Sequence, residues 1–237
     1  MKTSVVVFPG SNCDRDVARA VSETLKTPVE MVWHEEKDFA SSPDLVILPG
    51  GFSYGDYLRS GAMAAQSPII GAVKRHAQEG KLLLGICNGF QILTETKILP
   101  GALLANTSLT FICKPCYIRV EQTENCFTGH LDKGEIVQYP IAHHEGLFFL
   151  PPSELEELER TNRVVFRYAD PVSGKSGAKY APNGALNGIA GICNERGNVL
   201  GLMPHPERAT IAHLNGGSDG IRLWRSIEKT FKERCAR

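Results

Sequence analysis

The first half of the chain contains four short, mostly apolar segments, and they constrain its fold more than any other feature. Because they lack polar alternation, they are expected to be buried on both faces, as strands of a parallel sheet are. Helix-like spacing separates them, for example around Val17 and Val21, with Ser11 or Asn12 as the expected helix cap. An α/β fold with helices covering a doubly wound, mostly parallel sheet follows. The predicted strands are Ser4–Phe8, Val29–Trp33, Asp44–Leu48 and Leu82–Ile86.

The pattern changes after about residue 100, where strand-like segments follow one another with few helices between them. We expect them to extend the sheet in antiparallel fashion, closed by a final helix with Ile221, Trp224, Ile227 and Phe231 near one face. A chain of 237 residues can form one such domain, so residues 1–237 are expected to be a single domain. The predicted strands are 111–121, 136–143, 164–168, 188–193 and 199–203.

Charge and composition exclude several classes of protein. Twenty-six basic residues balance twenty-six acidic ones, so nothing indicates binding to nucleic acid or to an anionic membrane. No apolar run approaches the roughly 18 to 20 residues of a membrane span. Seven cysteines is an odd number, which argues against a disulfide framework. We expect a cytoplasmic protein with reduced thiols and a small-molecule or protein partner.

The segment Gly85-Ile-Cys-Asn-Gly89 follows the fourth strand and precedes a helix. This arrangement is typical of a nucleophile elbow, in which a tight strand-to-helix turn holds the central residue in a strained conformation. A helix N-terminus also favours the thiolate form of a cysteine. An isolated cysteine is usually a small core residue, but here the elbow predicts that Cys87 is a nucleophile.

A base for this nucleophile is predicted in Met203-Pro-His-Pro-Glu207. The two prolines favour an extended backbone, so His205 and Glu207 are expected to project to the same side. Glu207 could then orient the imidazole of His205. Alone, this segment would more often be a loop with a surface salt bridge; together with the elbow it predicts a Cys-His-Glu triad.

Acyl transfer also requires donors for the developing oxyanion. The Gly50-Gly51-Phe52 turn after the third strand can offer backbone N–H groups, and Asn88 can offer another. Two glycines after a strand would otherwise indicate no more than a tight turn. We therefore predict an oxyanion hole only because Cys87 is present.

Together these motifs resemble the class I, or triad type, glutamine amidotransferases, which have a flavodoxin-like fold. More narrowly, the chain resembles the family of glutaminase subunits of phosphoribosylformylglycinamidine synthase, which acts in the fourth step of purine biosynthesis. The resemblance extends from residue 3 to about residue 230. It rests on Gly85–Gln91, Met203–Arg208, Phe8–Asp14, Trp33–Glu35, Gly50–Arg59 and Ile189–Gly191.

The resemblance implies that Cys87 forms a γ-glutamyl thioester with L-glutamine, and that glutamate and ammonia are released. It implies that Gly51 and Asn88 form the oxyanion hole, and that Gly51, Phe52 and Gln91 contact the substrate. In this family the ammonia passes to a large synthetase subunit, commonly with a small adaptor subunit in the assembly. ATP, Mg²⁺ and formylglycinamide ribonucleotide would bind that partner, so no cofactor or metal is expected in this chain.

Other features are given structural explanations. Cys113 and Cys116 have the spacing of half a zinc site, but no second pair follows, so both are interpreted as strand residues. Cys13 is interpreted as a buried core residue. His143 is expected at the partner-facing surface or the rim of the site, and His144 stands where the resembling family usually has glycine. The acidic run Glu154–Glu159 is interpreted as a solvated helix face.

Two other functions remain open from the residues. A cysteine-elbow protein of similar fold, such as a DJ-1 or intracellular-peptidase relative, typically has histidine after the cysteine, whereas this chain has Asn88. A subunit that only scaffolds a synthetase would be expected to have a broken triad. Release of ammonia from glutamine separates these possibilities.

Overall fold

The computed structural model describes residues 1–211 and 217–235, which form eleven strands, five α-helices and five short 3-10 helices. The strands are β1 (Thr3–Val7), β2 (Val29–Trp33), β3 (Leu45–Leu48), β4 (Leu82–Ile86), β5 (Ala102–Leu104), β6 (Ile112–Val120), β7 (Ile136–His143), β8 (Leu147–Phe149), β9 (Val164–Tyr168), β10 (Ile189–Cys193) and β11 (Val199–Leu202). The helices are α1 (Asp14–Leu25), α2 (Ile70–Gln78), α3 (Asn88–Glu95), α4 (Pro152–Arg160) and α5 (Gly220–Cys235).

Nine strands form one mixed sheet in the order β2-β1-β3-β4-β11-β10-β9-β6-β7. Neighbours from β2 to β11 run parallel, and neighbours from β11 to β7 run antiparallel. The predicted α/β fold, with a parallel region and an antiparallel extension, is confirmed. The sequence did not predict the separate two-stranded sheet of β5 and β8, because strands of three residues carry too little pattern to detect.

The core lies along the middle of the large sheet, where every residue of β3, β4, β10 and β11 is buried. Both faces of these strands are therefore covered, which explains why their sequences do not alternate. Helix α5 buries Leu223, Trp224 and Ile227 and contacts α1. Within the described residues, no helix combines the length and apolarity needed to cross a membrane.

The start of α1 differs from the prediction. Its N-cap is Cys13, without a side-chain capping bond. Ser11 Oγ instead accepts a hydrogen bond from the backbone N–H of Phe8, at 3.1 Å. Ser11 therefore stabilises the turn after β1 rather than the helix, and this turn brings Cys13 to the carboxyl end of the sheet.

The acidic run behaves as predicted, since Leu158 is the only buried residue of α4. Cys113 and Cys116 both lie in β6, the first exposed and the second buried. Burial raises the pKa of the Cys116 thiol to about 12. These observations agree with a structural explanation for both thiols.

Candidate active site

Cys87 lies between β4 and α3 with φ of 50° and ψ of −106°, a conformation that side chains rarely adopt. The backbone is therefore strained, as a nucleophile elbow requires. Glycine is needed at position 89, because a Cβ there would lie 2.0 Å from the carbonyl oxygen of Leu48. That close approach seats α3 directly on β3 and presents Cys87 at the carboxyl end of the parallel strands.

His205 and Glu207 follow β11, the strand beside β4. The imidazole Nδ1 and the carboxylate Oε1 are 2.6 Å apart, and the two side chains are 1% and 0% exposed. The prediction of an extended backbone holds for His205 but is wrong beyond it, since Pro206–Arg208 form a short 3-10 turn. The pair meets because the turn folds Glu207 back toward the ring.

The register of the sheet brings the cysteine and the histidine together. Ile86 of β4 pairs with Leu202 of β11, and the Cys87 N–H donates to the carbonyl of Leu202 at 2.8 Å. The Cys87 thiol itself points toward the carbonyl of Ala142, 3.7 Å away. His205 Nε2 is buried and has no hydrogen-bond partner among the described residues.

The electrostatics of the site favour a charged imidazole. Burial lowers the pKa of His205, whereas the Glu207 carboxylate raises it. The sulfur atoms of Cys87 and Cys13 raise this pKa further, and the net value lies well above the ordinary one. The Cys87 sulfur therefore acts on His205 even though no hydrogen bond of normal geometry joins them. An imidazolium beside a thiol favours the thiolate.

Two backbone donors are available near Cys87. Gly51 follows β3 with φ of 134°, and Asn88 is the first residue of α3. In the described part of the chain, neither N–H donates to an acceptor. The N–H of Phe52, in contrast, donates to the carbonyl of Gly10 at 2.8 Å. Both backbone N–H groups are therefore free to donate, and the role of Gly51 and Asn88 as an oxyanion hole stays a prediction.

The predicted substrate residues differ in exposure. Gln91 is buried, its amide N–H₂ donates to the carbonyl of Glu145 at 2.6 Å, and its amide oxygen accepts from Asn88 at 2.9 Å. Phe52 is 39% exposed, with its ring centre 6.0 Å from that of Phe111. Gly51, Phe52 and His205 share the lining of a cavity of about 210 Å³, whereas Cys87 and Gln91 do not line it.

Sequence reasoning missed Cys13. Its sulfur, a ring nitrogen of His205 and a carboxylate oxygen of Glu207 all lie within 4.8 Å of one another. The signal was its place in the turn after β1, because the carboxyl ends of parallel strands share one edge of the sheet. Cysteine, histidine and glutamate are a donor set that Zn²⁺ can accept, although the group has only three protein ligands.

His143 was expected at a surface or rim, and this expectation is wrong. The side chain is 2% exposed, with Nδ1 3.1 Å from Oδ1 of Asn106. Burial lowers its pKa to about 4, and repulsion from His205 acts in the same direction. The buried Asn106 also accepts from the N–H of Gly146 and donates to the carbonyl of His143, so it fixes the turn after β7. His144 is exposed.

The strained cysteine, the buried histidine–glutamate pair and the parallel sheet define an amidotransferase-like fold and site. A family model described as the CobB/CobQ-like glutamine amidotransferase domain matches residues 1–219. The chain belongs to this glutamine amidotransferase family.

Individual relatives agree along nearly the whole chain. The protein named phosphoribosylformylglycinamidine synthase subunit PurQ from Trichormus variabilis is 54% identical over 227 residues, covering 96% of each chain. The protein of the same name from Koribacter versatilis is 50% identical and covers 99% of this chain and 100% of its own. A chain of the structure of PurLQS from Thermotoga maritima superposes with a TM-score of 0.83 at 43% identity, covering 97% and 98% of the two chains.

Proposed function

We propose that this chain is the glutaminase subunit of phosphoribosylformylglycinamidine synthase and that it hydrolyses L-glutamine to glutamate and ammonia. The relatives named PurQ support the identity of the enzyme. One observation carries the chemistry: Cys87 projects from a strained elbow, hydrogen-bonded through its N–H to the strand that leads to the His205–Glu207 pair. The raised pKa of His205 favours the imidazolium at rest, and an imidazolium is the form that promotes attack by a neighbouring sulfur.

In the first half of the reaction, the Cys87 sulfur attacks the γ-amide carbon of glutamine. The N–H groups of Gly51 and Asn88 stabilise the oxyanion of the tetrahedral intermediate. His205 donates its proton to the leaving nitrogen, and ammonia departs as the γ-glutamyl thioester forms. Glu207 stays ionised, fixes the ring orientation and stabilises the charged imidazole.

In the second half, neutral His205 removes a proton from water, which attacks the thioester carbonyl. Collapse of this intermediate releases glutamate and restores the Cys87 thiolate and the His205 imidazolium. Gly51, Phe52 and Gln91 hold the substrate. Two observations support this role: Gly51 and Phe52 line the same cavity as His205, and Gln91 is hydrogen-bonded to Asn88. No step requires a cofactor or a metal from this chain.

The ammonia serves a large synthetase subunit, assembled with this chain and a small adaptor subunit. That partner converts formylglycinamide ribonucleotide to formylglycinamidine ribonucleotide with ATP and Mg²⁺. The solved structure of PurLQS from Thermotoga maritima supports such an assembly. Residues 1–237 act as a single amidotransferase domain in the cytoplasm, as purine biosynthesis implies.

The test measures ammonia release from glutamine by the full chain, with and without the large synthetase and adaptor subunits. We expect slow turnover alone, strong activation in the assembly, and loss of at least about 10³-fold in the Cys87→Ser variant. The matched control is Cys193→Ser, a buried cysteine on β10 remote from His205.

Covalent capture gives an independent measurement. A glutamine-like electrophile should modify one cysteine, and peptide mass spectrometry should place it at Cys87. Unchanged ammonia release by Cys87→Ser, or capture at another cysteine, would contradict the mechanism. Equal turnover with and without the partner subunits would contradict the role in the complex.

A further inference from the structure

A second cavity lies at the opposite end of the sheet from Cys87. Its volume is about 550 Å³, more than twice that of the cavity beside His205. It lies between the end of α2, the residues after α3, and the turn that precedes β11. We call it the basic cleft; none of its lining residues belongs to the proposed catalytic machinery.

Positive charge is concentrated in the basic cleft. Its lining contains Lys74, Lys97, Arg163 and Arg196 and a single carboxylate, Glu195, so its formal charge is +3. The whole chain, in contrast, has a formal charge of zero. The cations of the cleft come from four separate places in the sequence, and the fold brings them together.

These cations lack the close carboxylate partners that arginines have elsewhere. Arg222 and Arg119 lie 2.6 and 2.9 Å from glutamate oxygens. In the cleft, the shortest such distance is 3.9 Å, between Arg163 and the highly exposed Glu195. Across residues 1–211 and 217–235, neither Lys74 nor Lys97 takes part in an ion pair.

Helix ends offer the simplest alternative explanation for this charge. Helices α2 and α3 both end at the cleft, and each C-terminus carries about half a negative charge. Arg196 meets one of them, since its guanidinium donates to the carbonyl of Gln78 at 2.9 Å. Two half-charges amount to about −1, which leaves most of the +3 uncompensated. Capping of the helices does not account for the whole cluster.

The cleft also has apolar walls and a suitable size. Ala77, Ile98 and Val199 contribute apolar surface between the charged groups, while Gln78 and Asn194 offer polar side chains. Cavities of roughly 300 to 1,000 Å³ are typical of sites for small molecules and cofactors. A ligand that matches this lining has a phosphate group for the cations and a flat, weakly polar part for the apolar surface.

We propose that the basic cleft binds a phosphorylated small molecule of nucleotide size, at a site separate from glutamine hydrolysis. The cations Lys74, Lys97, Arg163 and Arg196 hold the phosphate, and the apolar surface holds the base. Such a ligand would occupy the amino ends of β4 and β11, the two strands whose carboxyl ends lead to Cys87 and His205.

The test is calorimetric titration of the full chain with AMP, ATP, inorganic phosphate and adenosine. We expect AMP and ATP to bind, and inorganic phosphate and adenosine to bind more weakly than AMP. The double variant Lys74→Gln/Lys97→Gln should raise the Kd for AMP at least about tenfold, which corresponds to about 1.4 kcal/mol, because it removes two of the four cations. Glutamine hydrolysis by this variant should not change.

The matched control is Lys133→Gln, an exposed lysine outside the cleft, which should leave the Kd unchanged. Failure of AMP and ATP to bind would overturn the proposal, as would an unchanged Kd in the double variant. Equal affinity for AMP and inorganic phosphate would show that the apolar surface holds no ligand and would also overturn it. Because hydrolysis is measured separately, none of these outcomes bears on the role of Cys87.

Discussion

The two ends of strands β4 and β11 carry opposite kinds of polar chemistry. At the carboxyl end, Cys87, His205 and Glu207 are buried, and His205 Nε2 and Glu207 Oε2 have no partner among the described residues. At the amino end, Lys74 and Lys97 are exposed, and the buried Asn198 donates to the carbonyls of Ala77 and Lys81. A low dielectric strengthens each charge at the first end, whereas water screens the second. The same two strands therefore carry groups suited to covalent chemistry at their carboxyl ends and cations suited to binding an anion at their amino ends.

Two histidines within the carboxyl end show that burial alone does not decide protonation. His205 and His143 are both almost fully buried, yet the pKa of the first is raised and that of the second is lowered to about 4. Burial lowers the pKa of both. His205 has the Glu207 carboxylate as partner, while His143 has the neutral amide of Asn106. The partner therefore determines which imidazole is charged.

The comparison of His205 with His143 can be tested by substitution, and the largest effect on activity is expected for Glu207→Gln. An amide can donate to His205 Nδ1, which would favour the wrong tautomer, and it cannot stabilise the imidazolium. We expect kcat for glutamine hydrolysis to fall by about 10² to 10⁴-fold. The exposed Glu154→Gln variant is the matched control. Undiminished activity with an unchanged circular dichroism spectrum would remove Glu207 from the mechanism.

A smaller effect is expected for Cys13→Ala. Cys13 helps to raise the pKa of His205, so its loss should lower that pKa and shift the basic limb of the kcat/KM profile to lower pH. We expect the rate to change by about fivefold or less, which corresponds to about 1 kcal/mol. Cys193→Ala, which removes a buried thiol elsewhere, should leave the profile in place. A profile that does not move would make Cys13 a packing residue only.

The smallest effect concerns stability at the carboxyl end. Burial raises the pKa of Asp56 from 3.8 to about 6, and repulsion from Glu145 adds to this, although Ser60 and His144 oppose it. The folded state thus holds the proton more tightly, so stability falls as pH rises from about 3.8 to about 6 and stays lower above that window.

Asp56→Asn should therefore raise the Tm by about 1 to 3 °C near neutral pH, an estimate reduced for the partial exposure of this group. The gain should shrink at about pH 4, where the native carboxyl is already protonated. Thermal unfolding at the two pH values measures the difference. A gain that is equal at both would show that the ionised carboxylate is not the cause.

Local sequence signals predicted the fold and the contact between His205 and Glu207, and long-range contacts explain what they missed. The continuous apolar strands and the spacing around Cys87 follow from backbone and burial rules that act over ten residues or fewer. The contact between His205 and Glu207 was predicted from an extended backbone. The contact is present, but a 3-10 turn at Pro206–Arg208 produces it. Cys13 and Asn106 act on residues far along the chain. The place of Cys13 after a parallel strand was a signal for its contact, but Asn106 had no such signal.

The positive φ of Cys87 also bears on how natural selection acts at this position. A glycine would adopt that conformation without the roughly 1 to 3 kcal/mol of strain that a side chain incurs. Selection for a sturdier protein alone would thus favour losing the thiol. At this position thermostability favours glycine, whereas catalytic activity requires the cysteine.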